Sequence, residues 1–304
     1  MGHKHTHHHH VDPNAGDTKV AFAVALNLAL TVAQIIGGIF AGSLSLIADA
    51  MHNLSDAMAL IIAFFARKVA RRPADARMTF GYGRIEAVAA LINYTTLVVV
   101  ALYLVYEGIA RFFAPTEVTG WIIVIVAGVA LAIDLGTAAL TYRLSKNSMN
   151  IRAAFLHNLA DALGSVAVII AGTLVILFEW HWVDPLVTLL IAGYILWHAA
   201  VEMPDVIRLL MLGSPDDLDT VEVIAALEAE GGVASVHHVH LWRMGEHVNA
   251  LEAHIVLTSD ATASQTRTAL REMLLTRFSL SHCTLEIEEN GTICVHSKQV
   301  IGHG

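Results

Sequence analysis

The sequence predicts six membrane-spanning helices followed by a small cytoplasmic α+β domain, and three observations support this fold. Of the 304 residues, 56% are hydrophobic and only 15% are charged, whereas soluble domains carry about 25% charged residues. Six apolar stretches are each long enough to cross a bilayer core, which takes about 20 residues. From about residue 213 the chain becomes polar, with amphipathic helix and strand patterns.

The apolar stretches set the predicted domain limits. We expect a disordered tail over residues 1–17, a membrane domain over 18–208, a cytoplasmic domain over 209–292 and a tail over 293–304. Six of the first ten residues are histidines, which fits either a purification tag or a native tail that binds metal loosely. The predicted spans are residues 20–40, 44–66, 87–110, 118–142, 153–178 and 183–203.

Lysine and arginine concentrate in the loops that follow the second and fourth stretches. The turns after the first and fifth stretches have neither residue. Basic loops face the cytoplasm, so both termini are expected there, in a multi-pass protein of the bacterial inner membrane. The formal charge of −9 gives no indication of nucleic-acid binding. The basic residues are Arg67, Lys68, Arg71, Arg72, Arg77 and Arg84, then Arg143, Lys146 and Arg152.

The C-terminal part has the pattern of a small mixed domain. Its apolar residues follow helical spacing over residues 215–230 and 263–278. Residues 236–242, 250–257 and 283–289 read as strands, with a turn at Gly245 between the first two. On the first strand, alternation predicts that His238 and His240 share a face while His237 points away. The element order is therefore α-β-β-α-β.

A six-residue motif occurs twice, about 100 residues apart, inside apolar helices. The copies are His52-Asn53-Leu54-Ser55-Asp56-Ala57 and His157-Asn158-Leu159-Ala160-Asp161-Ala162. Residues four apart share a helix face, so each copy presents a histidine and an aspartate together. A charge at bilayer depth costs about 2.5–3.5 kcal/mol. The motif therefore predicts a functional site rather than lipid-facing side chains.

If the two motif helices face each other, two imidazoles and two carboxylates surround one point. A tetrahedral set of two nitrogens and two oxygens suits Zn²⁺. Metal ligands must be deprotonated, so binding releases protons, and histidine exchanges protons near neutral pH. Metal moving one way and protons the other is a transport cycle. The predicted ligands are His52, Asp56, His157 and Asp161.

These residues resemble those of the cation diffusion facilitator family of divalent-metal/proton antiporters. Further matching features are Phe80-Gly81-Tyr82-Gly83-Arg84-x-Glu86 and His240-Leu241-Trp242. The resemblance covers residues 18–290 and implies six helices, a ferredoxin-like cytoplasmic domain, a homodimer and alternating access. Each motif helix carries a histidine, and this arrangement resembles that of the zinc-type members of the family. The resemblance thus implies a lipid-embedded exporter of Zn²⁺, and not an enzyme.

Several polar residues near the motifs have supporting roles in this interpretation. Asp49 lies one turn before His52 and is expected to line the entry path, to hydrogen-bond a ligand or to be structural. Asn53 and Asn158 are expected to hydrogen-bond or pack beside the ligands. Asp134, in the fourth stretch, is either a proton carrier or the partner of a neighbouring helix.

The cytoplasmic domain offers a second candidate metal site, which would bind zinc as a regulatory ligand. The groups that align best with the family's ligands are His237, His254 and Glu288. The alternative is that they are solvated polar groups of a sheet. Some members also bind metal in the loop between the second and third spans. Here that loop offers Asp75 and no histidine, so a loop site is not expected.

Two other functions compete with metal/proton antiport. A membrane zinc protease needs His-Glu-x-x-His, which is absent, and di-metal enzymes need more histidines at membrane depth. A passive channel needs weak binding at several sites, whereas a four-ligand cage binds tightly. Imidazole and carboxylate suit several metals, so Co²⁺, Cd²⁺, Ni²⁺ and Fe²⁺ stay open as further substrates.

Overall fold

The computed structural model describes residues 13–145, 149–245, 248–288 and 300–301. Side chains over residues 140–157 and at most positions before 27 lie outside the described part. The histidine-rich start and most of the predicted tail over 293–304 also lie outside it. Within the described residues, six long helices precede an α-β-β-α-β domain, in the predicted order.

Each long helix exceeds the apolar stretch that predicts it, because polar residues at its ends continue the helical hydrogen bonding. Five of the six are long and apolar enough to span a membrane over their described residues, and the first contributes the shorter apolar segment Asn27–Ala41. A bilayer core favours helices because their backbone groups bond internally. The helices are α1 (Pro13–Ala41), α2 (Leu44–Ala70), α3 (Ile85–Phe113), α4 (Gly120–Ser145), α5 (Met149–Phe178) and α6 (Val183–Leu210).

Helix α1 begins earlier than the sequence predicts. Residues 13–17, expected to be disordered, form its first turn and the residue after it. Pro13 is the first helical residue, a position where its fixed φ is favourable and its missing N–H removes no helical bond. The structure thus starts the helix within the predicted tail, while residues 1–12 lie outside the described part.

Small residues allow α4 and α5 to pack closely. A Cβ atom added to Gly172 would lie 2.9 Å from the Cβ of Ile123, and one added to Gly120 would lie 2.6 Å from the carbonyl oxygen of Gly172. Small side chains at such crossings let helix backbones approach in membranes. The surrounding buried cluster joins five helices and includes Ala41, Leu46, Ala127, Val168 and Val187.

The cytoplasmic domain has its own core under a three-stranded sheet. Strand β1 (Val233–Arg243) pairs antiparallel with β2 (Asn249–Leu257), and β2 pairs parallel with β3 (His282–Glu288). The helix predicted over residues 215–230 begins only at Thr220, because the side chain of Asp219 caps it. Its apolar residue Val221 is 67% exposed. The elements are α7 (Thr220–Glu228), β1 (Val233–Arg243), β2 (Asn249–Leu257), α8 (Ala263–Phe278) and β3 (His282–Glu288).

A bulge in β1 changes the predicted position of His237, whereas the rings of His238 and His240 lie 5.2 Å apart, consistent with the predicted shared face. The pairing with β2 shifts between His237 and His240, and His238 has φ 56°. A bulge adds a residue to one strand and re-aims the side chains around it. His237 and His238 are consequently both buried, and the ring of His238 stacks on His254 with 4.7 Å between centroids.

Candidate metal centre

The motif on α2 brings its histidine and aspartate into contact. His52 and Asp56 are separated by four residues, which is close to one helical turn. The Nε2 atom of His52 lies 3.7 Å from Oδ2 of Asp56. Both side chains are only partly exposed, at 16% and 26%. One face of α2 thus presents an imidazole nitrogen and a carboxylate oxygen to the same region.

The motif on α5 adds a third ligand atom. Oδ1 of Asp161 lies 3.4 Å from Nε2 of His52, and candidate ligand atoms of His52, Asp56 and Asp161 all lie within 4.8 Å of one another. Ligand atoms about 2.0–2.2 Å from a tetrahedral Zn²⁺ are separated by about 3.3–3.6 Å. The two separations of 3.4 and 3.7 Å are therefore close to those of ligands that share one ion.

His157 is the fourth predicted ligand, and the position of its side chain remains a prediction. Its backbone lies on α5, four residues before Asp161, so the two positions share a helix face. Its side chain lies outside the described residues. The structure accordingly brings together three of the four predicted ligands, and the contribution of His157 stays a prediction.

Tyr194 of α6 also borders the centre, although the sequence does not single it out. Its ring meets the His52 imidazole edge-on, with 6.1 Å between centroids and an interplanar angle of 83°. One tyrosine in an apolar helix carries no periodic signal, so only the packing of α6 beside α2 reveals this contact. A third helix thereby contributes to the surroundings of His52.

Asp49 and Asn53 on α2 both form hydrogen bonds with α1. Gln34 donates from Nε2 to Oδ2 of Asp49 at 2.6 Å, and Asn53 donates from Nδ2 to Oε1 of Gln34 at 3.0 Å. All three residues are buried, with exposures of 0%, 4% and 4%. Gln34 was missed because a single amide in an apolar helix has no motif to mark it.

The remaining membrane residues named from the sequence take different positions. Asp134 on α4 accepts a hydrogen bond of 3.3 Å from the hydroxyl of Ser165 on α5. This contact favours the interpretation that Asp134 pairs with a neighbouring helix. Asn158 is half-buried on α5, next to the predicted ligand position 157.

The predicted cytoplasmic residues also form a cluster. His237, His254 and Glu288 offer ligand atoms within 4.8 Å of one another. Nε2 of His237 lies 3.4 Å from Oε2 of Glu288, and Nδ1 of His254 lies 2.7 Å from Oε1 of the same carboxylate. The two carboxylate oxygens therefore face two different imidazoles. Glu288 is 6% exposed, which argues against a solvated polar face.

The loop between α2 and α3 uses its one aspartate to hold a turn. Asp75 accepts hydrogen bonds from the hydroxyl of Tyr82 at 2.6 Å and from the backbone N–H groups of Arg77 and Met78. The Tyr82 hydrogen bond, followed by the two backbone bonds, lowers the pKa of Asp75, and the same carboxylate raises the pKa of Tyr82. The carboxylate therefore has a structural role in this loop.

Two family domains match nearly the whole chain. The cation efflux transmembrane domain matches residues 20–211, and the cytoplasmic domain of cation efflux proteins matches residues 215–290. The chain belongs to the cation diffusion facilitator family. As a member of this family it is a multi-pass membrane transporter that expels metal cations, and it is not an enzyme. The alternative of a membrane metalloenzyme is thereby set aside.

Two relatives that match this chain along nearly their whole length support this membership, and one solved domain is also similar in sequence. A cadmium, cobalt and zinc/H(+)-K(+) antiporter of Bacillus velezensis is 35% identical over 95% of this chain and 92% of its own length. The zinc transporter ZitB of Escherichia coli is 34% identical over 100% of this chain and 98% of its own length. The metal-bound C-terminal domain of the CzcD transporter from Cupriavidus metallidurans is 28% identical over 23% of this chain and 99% of that domain, with a TM-score of 0.23.

Proposed function

We propose that this cation diffusion facilitator exports Zn²⁺ from the cytoplasm in exchange for protons, by alternating access. The transport site is formed by His52, Asp56, His157 and Asp161. The observation that carries the proposal is the 3.4 Å separation between His52 Nε2 and Asp161 Oδ1. It joins the two copies of the motif, so residues about 100 positions apart are available to one ion.

The donor set favours zinc as the substrate. Zn²⁺ binds imidazole nitrogen and carboxylate oxygen at about 2.0–2.2 Å in four-coordinate sites. The Bacillus velezensis relative is named for cadmium, cobalt and zinc, and the Escherichia coli relative for zinc. Geometry alone selects poorly among metals that accept the same ligands. Co²⁺ and Cd²⁺ are therefore the competing substrates to include in any assay.

Proton exchange follows from the chemistry of the ligands. Neutral imidazole and ionised carboxylate bind metal, so protons held by the empty site leave when the ion arrives. When the site opens to the other side and releases metal, the same groups take up protons there. A carboxylate at membrane depth is costly to leave charged and unpaired. Protonation therefore offsets the loss of the metal during the return step.

The cytoplasmic domain is proposed to regulate transport and to form a homodimer. The buried cluster of His237, His254 and Glu288 supports zinc binding there, separately from the transport site. The distribution of basic residues supports an orientation with both termini in the cytoplasm and location in the bacterial inner membrane. Zinc bound to the domain would then report the cytoplasmic concentration of the transported ion.

The test is zinc flux into proteoliposomes by Asp56→Asn and Asp161→Asn variants. Each change keeps the size of the side chain but removes an anionic ligand, so transport should fall to background. Ser55→Ala is the matched control, because Ser55 lies beside Asp56 on α2 and bonds Asn93 at 3.3 Å instead of facing the centre. Equal flux in the wild type and in both asparagine variants would reject the site.

A further inference from the structure

Gln34 on α1 is a buried amide that connects two residues of α2. Its side chain is fully buried among the long helices. It donates to the carboxylate of Asp49 at 2.6 Å and accepts from the amide of Asn53 at 3.0 Å. Both ends of one side chain are therefore used, and both bonds cross from α1 to α2.

The chemistry of the partners fixes the orientation of these amides. In the structure the Nε2 atom of Gln34 faces Oδ2 of Asp49, which is the arrangement that a carboxylate acting as a hydrogen-bond acceptor requires. The Oε1 atom of Gln34 then faces Asn53 and requires a donor from it. Reversing either amide would set two acceptors or two donors against each other. The three side chains thus form one ordered network.

The network also borders α5, which carries the other half of the transport site. A Cβ atom added to Gly164 would lie 3.3 Å from Oδ1 of Asp49. Gly164 comes three residues after Asp161, on the same side of the helix. Asp49 is consequently held between the amide of Gln34 on α1 and the glycine of α5.

The residues held by Gln34 flank His52 along α2. Asp49 precedes His52 by three residues, and Asn53 follows it directly. Two anchors so close to one position restrict both the rotation and the translation of α2 at that turn. The separation between His52 and Asp161 depends on that rotation, because the two residues lie on different helices.

We infer that Gln34 is a positioning residue for the transport site: its two hydrogen bonds to α2 hold His52 in register with Asp161. The inference rests on the proposed transport function. Hydrogen bonds gain strength in a low-dielectric interior, and a buried carboxylate that loses its donor is strongly destabilised. Without Gln34, α2 is free to turn until Asp49 finds another donor, which moves His52 as well.

Gln34→Met is the decisive variant, since it keeps an unbranched side chain of similar length but removes both hydrogen bonds. In proteoliposomes of the full chain, the half-saturating zinc concentration should rise about tenfold, the equivalent of about 1.4 kcal/mol. The maximal rate per reconstituted protein should change less. Thr31→Val is the matched control, because Thr31 is equally buried on α1 but bonds the carbonyl of Asn27 in its own helix.

Gln34→Glu distinguishes hydrogen bonding from space filling. If Gln34 only filled space, this variant would not change how the half-saturating zinc concentration depends on pH. Two facing carboxylates bond each other only when they share a proton, so this variant should approach wild-type half-saturation in mildly acidic buffer. It should lose affinity relative to the wild type as the buffer becomes alkaline. The other titratable groups that act on Asp49 are His52 on the same helix, Asp134 on α4 and Asp161 on α5, and they are present in both proteins.

Two results would overturn the inference. The first is a wild-type half-saturating concentration in Gln34→Met, and the second is the same pH dependence for Gln34→Glu and wild type. The first result, accompanied by a reduced amount of folded Gln34→Met protein, would show that Gln34 serves folding alone. Failure of the transport site itself is recognised separately, because Asp161→Asn would then keep transporting.

Discussion

The carboxylate of Asp184, at the start of α6, accepts a hydrogen bond of 2.6 Å from the hydroxyl of Ser43, at the turn between α1 and α2. The hydroxyl of Ser45 donates to the same oxygen, and the backbone N–H of Leu44 donates to the other at 2.8 Å. Asp184 is fully buried. A residue of α6 therefore caps the N-terminus of α2, where the helix dipole favours negative charge.

The first prediction is that Asp184→Asn destabilises the helical unit. The amide retains the shape of the carboxylate but loses the charge and one acceptor, so donors of α2 are left buried without full partners. We expect a loss of about 1.5–3 kcal/mol in the free energy of unfolding. Thermal unfolding in detergent measures it. Asp205→Asn, at an exposed position of the same helix, is the control, and equal stability of the two variants would contradict the prediction.

The second prediction concerns the close packing of α4 and α5. Gly172→Ala places a methyl group 2.9 Å from the side chain of Ile123, so the helices must separate. Overpacking of this kind costs about 1–3 kcal/mol. Gly128→Ala on α4 is the matched control, since nothing lies within 4 Å of its added Cβ. Thermal unfolding should show a loss for the first variant only, and equal melting temperatures would mean that the helices adjust without strain.

The spans and the motif residues were accessible to sequence analysis for physical reasons. A helix that crosses a bilayer needs about 20 apolar residues, and such a stretch is visible directly in the sequence. The His-x-x-x-Asp spacing is likewise visible, and it matches about one helical turn. Residues whose role depends on a partner from another helix gave no such signal. Gln34, Asp184 and Tyr194 each stand alone in their own segments, and their contacts arise only when α1, α2 and α6 pack together.

Dependence on a partner element also explains why the sequence did not predict the position of His237 on β1. Regular alternation placed His237 on the opposite face from His238 and His240, and a strand without interruption would have that arrangement. The bulge depends on the pairing with β2 and on the left-handed backbone of His238, neither of which is encoded in hydrophobic periodicity. The three residues His237, His254 and Glu288 could nevertheless be named from the sequence, because the resemblance to the family aligns each of them individually. The structure brings them together.

The third prediction is that His52→Asp changes metal selectivity. The variant replaces a nitrogen ligand with a carboxylate oxygen next to Asp56 and Asp161. Oxygen-rich sites suit harder ions such as Mn²⁺, so zinc preference should weaken while Mn²⁺ or Cd²⁺ enters. Competition assays in proteoliposomes with each ion measure the change. An unaltered order of metals would show that His52 is not a ligand.

The fourth prediction is that the cytoplasmic domain binds zinc without the membrane domain. Its apolar core is drawn from α7, α8 and the three strands, so a fragment from Gly213 to Gly304 should fold, dimerise and bind zinc. Calorimetry should detect binding that weakens at acidic pH, because neutral imidazoles are needed. His254→Ala and Glu288→Gln should each remove it. Unchanged binding in both variants would place the zinc elsewhere.

The fifth prediction concerns the number of protons exchanged for each Zn²⁺. One proton entering against one Zn²⁺ leaving moves a net positive charge outward. An inward-negative potential of about 100 mV opposes this movement by about 2.3 kcal/mol per charge. Exchange of two protons is electroneutral and depends on the pH gradient alone. We expect one proton, held mainly by a histidine of the site.

The zinc gradient at which net flux reverses, measured in proteoliposomes at several imposed potentials, distinguishes these stoichiometries. For one-for-one exchange, the reversal gradient should shift about tenfold for each potential step worth about 1.4 kcal/mol per charge, and it should also follow the pH gradient. Dependence on pH without dependence on potential would reject exchange of one proton in favour of two. Dependence on potential without dependence on pH would reject antiport in favour of a passive channel, because each Zn²⁺ that passes alone carries two charges through the potential. Dependence on neither would also reject antiport.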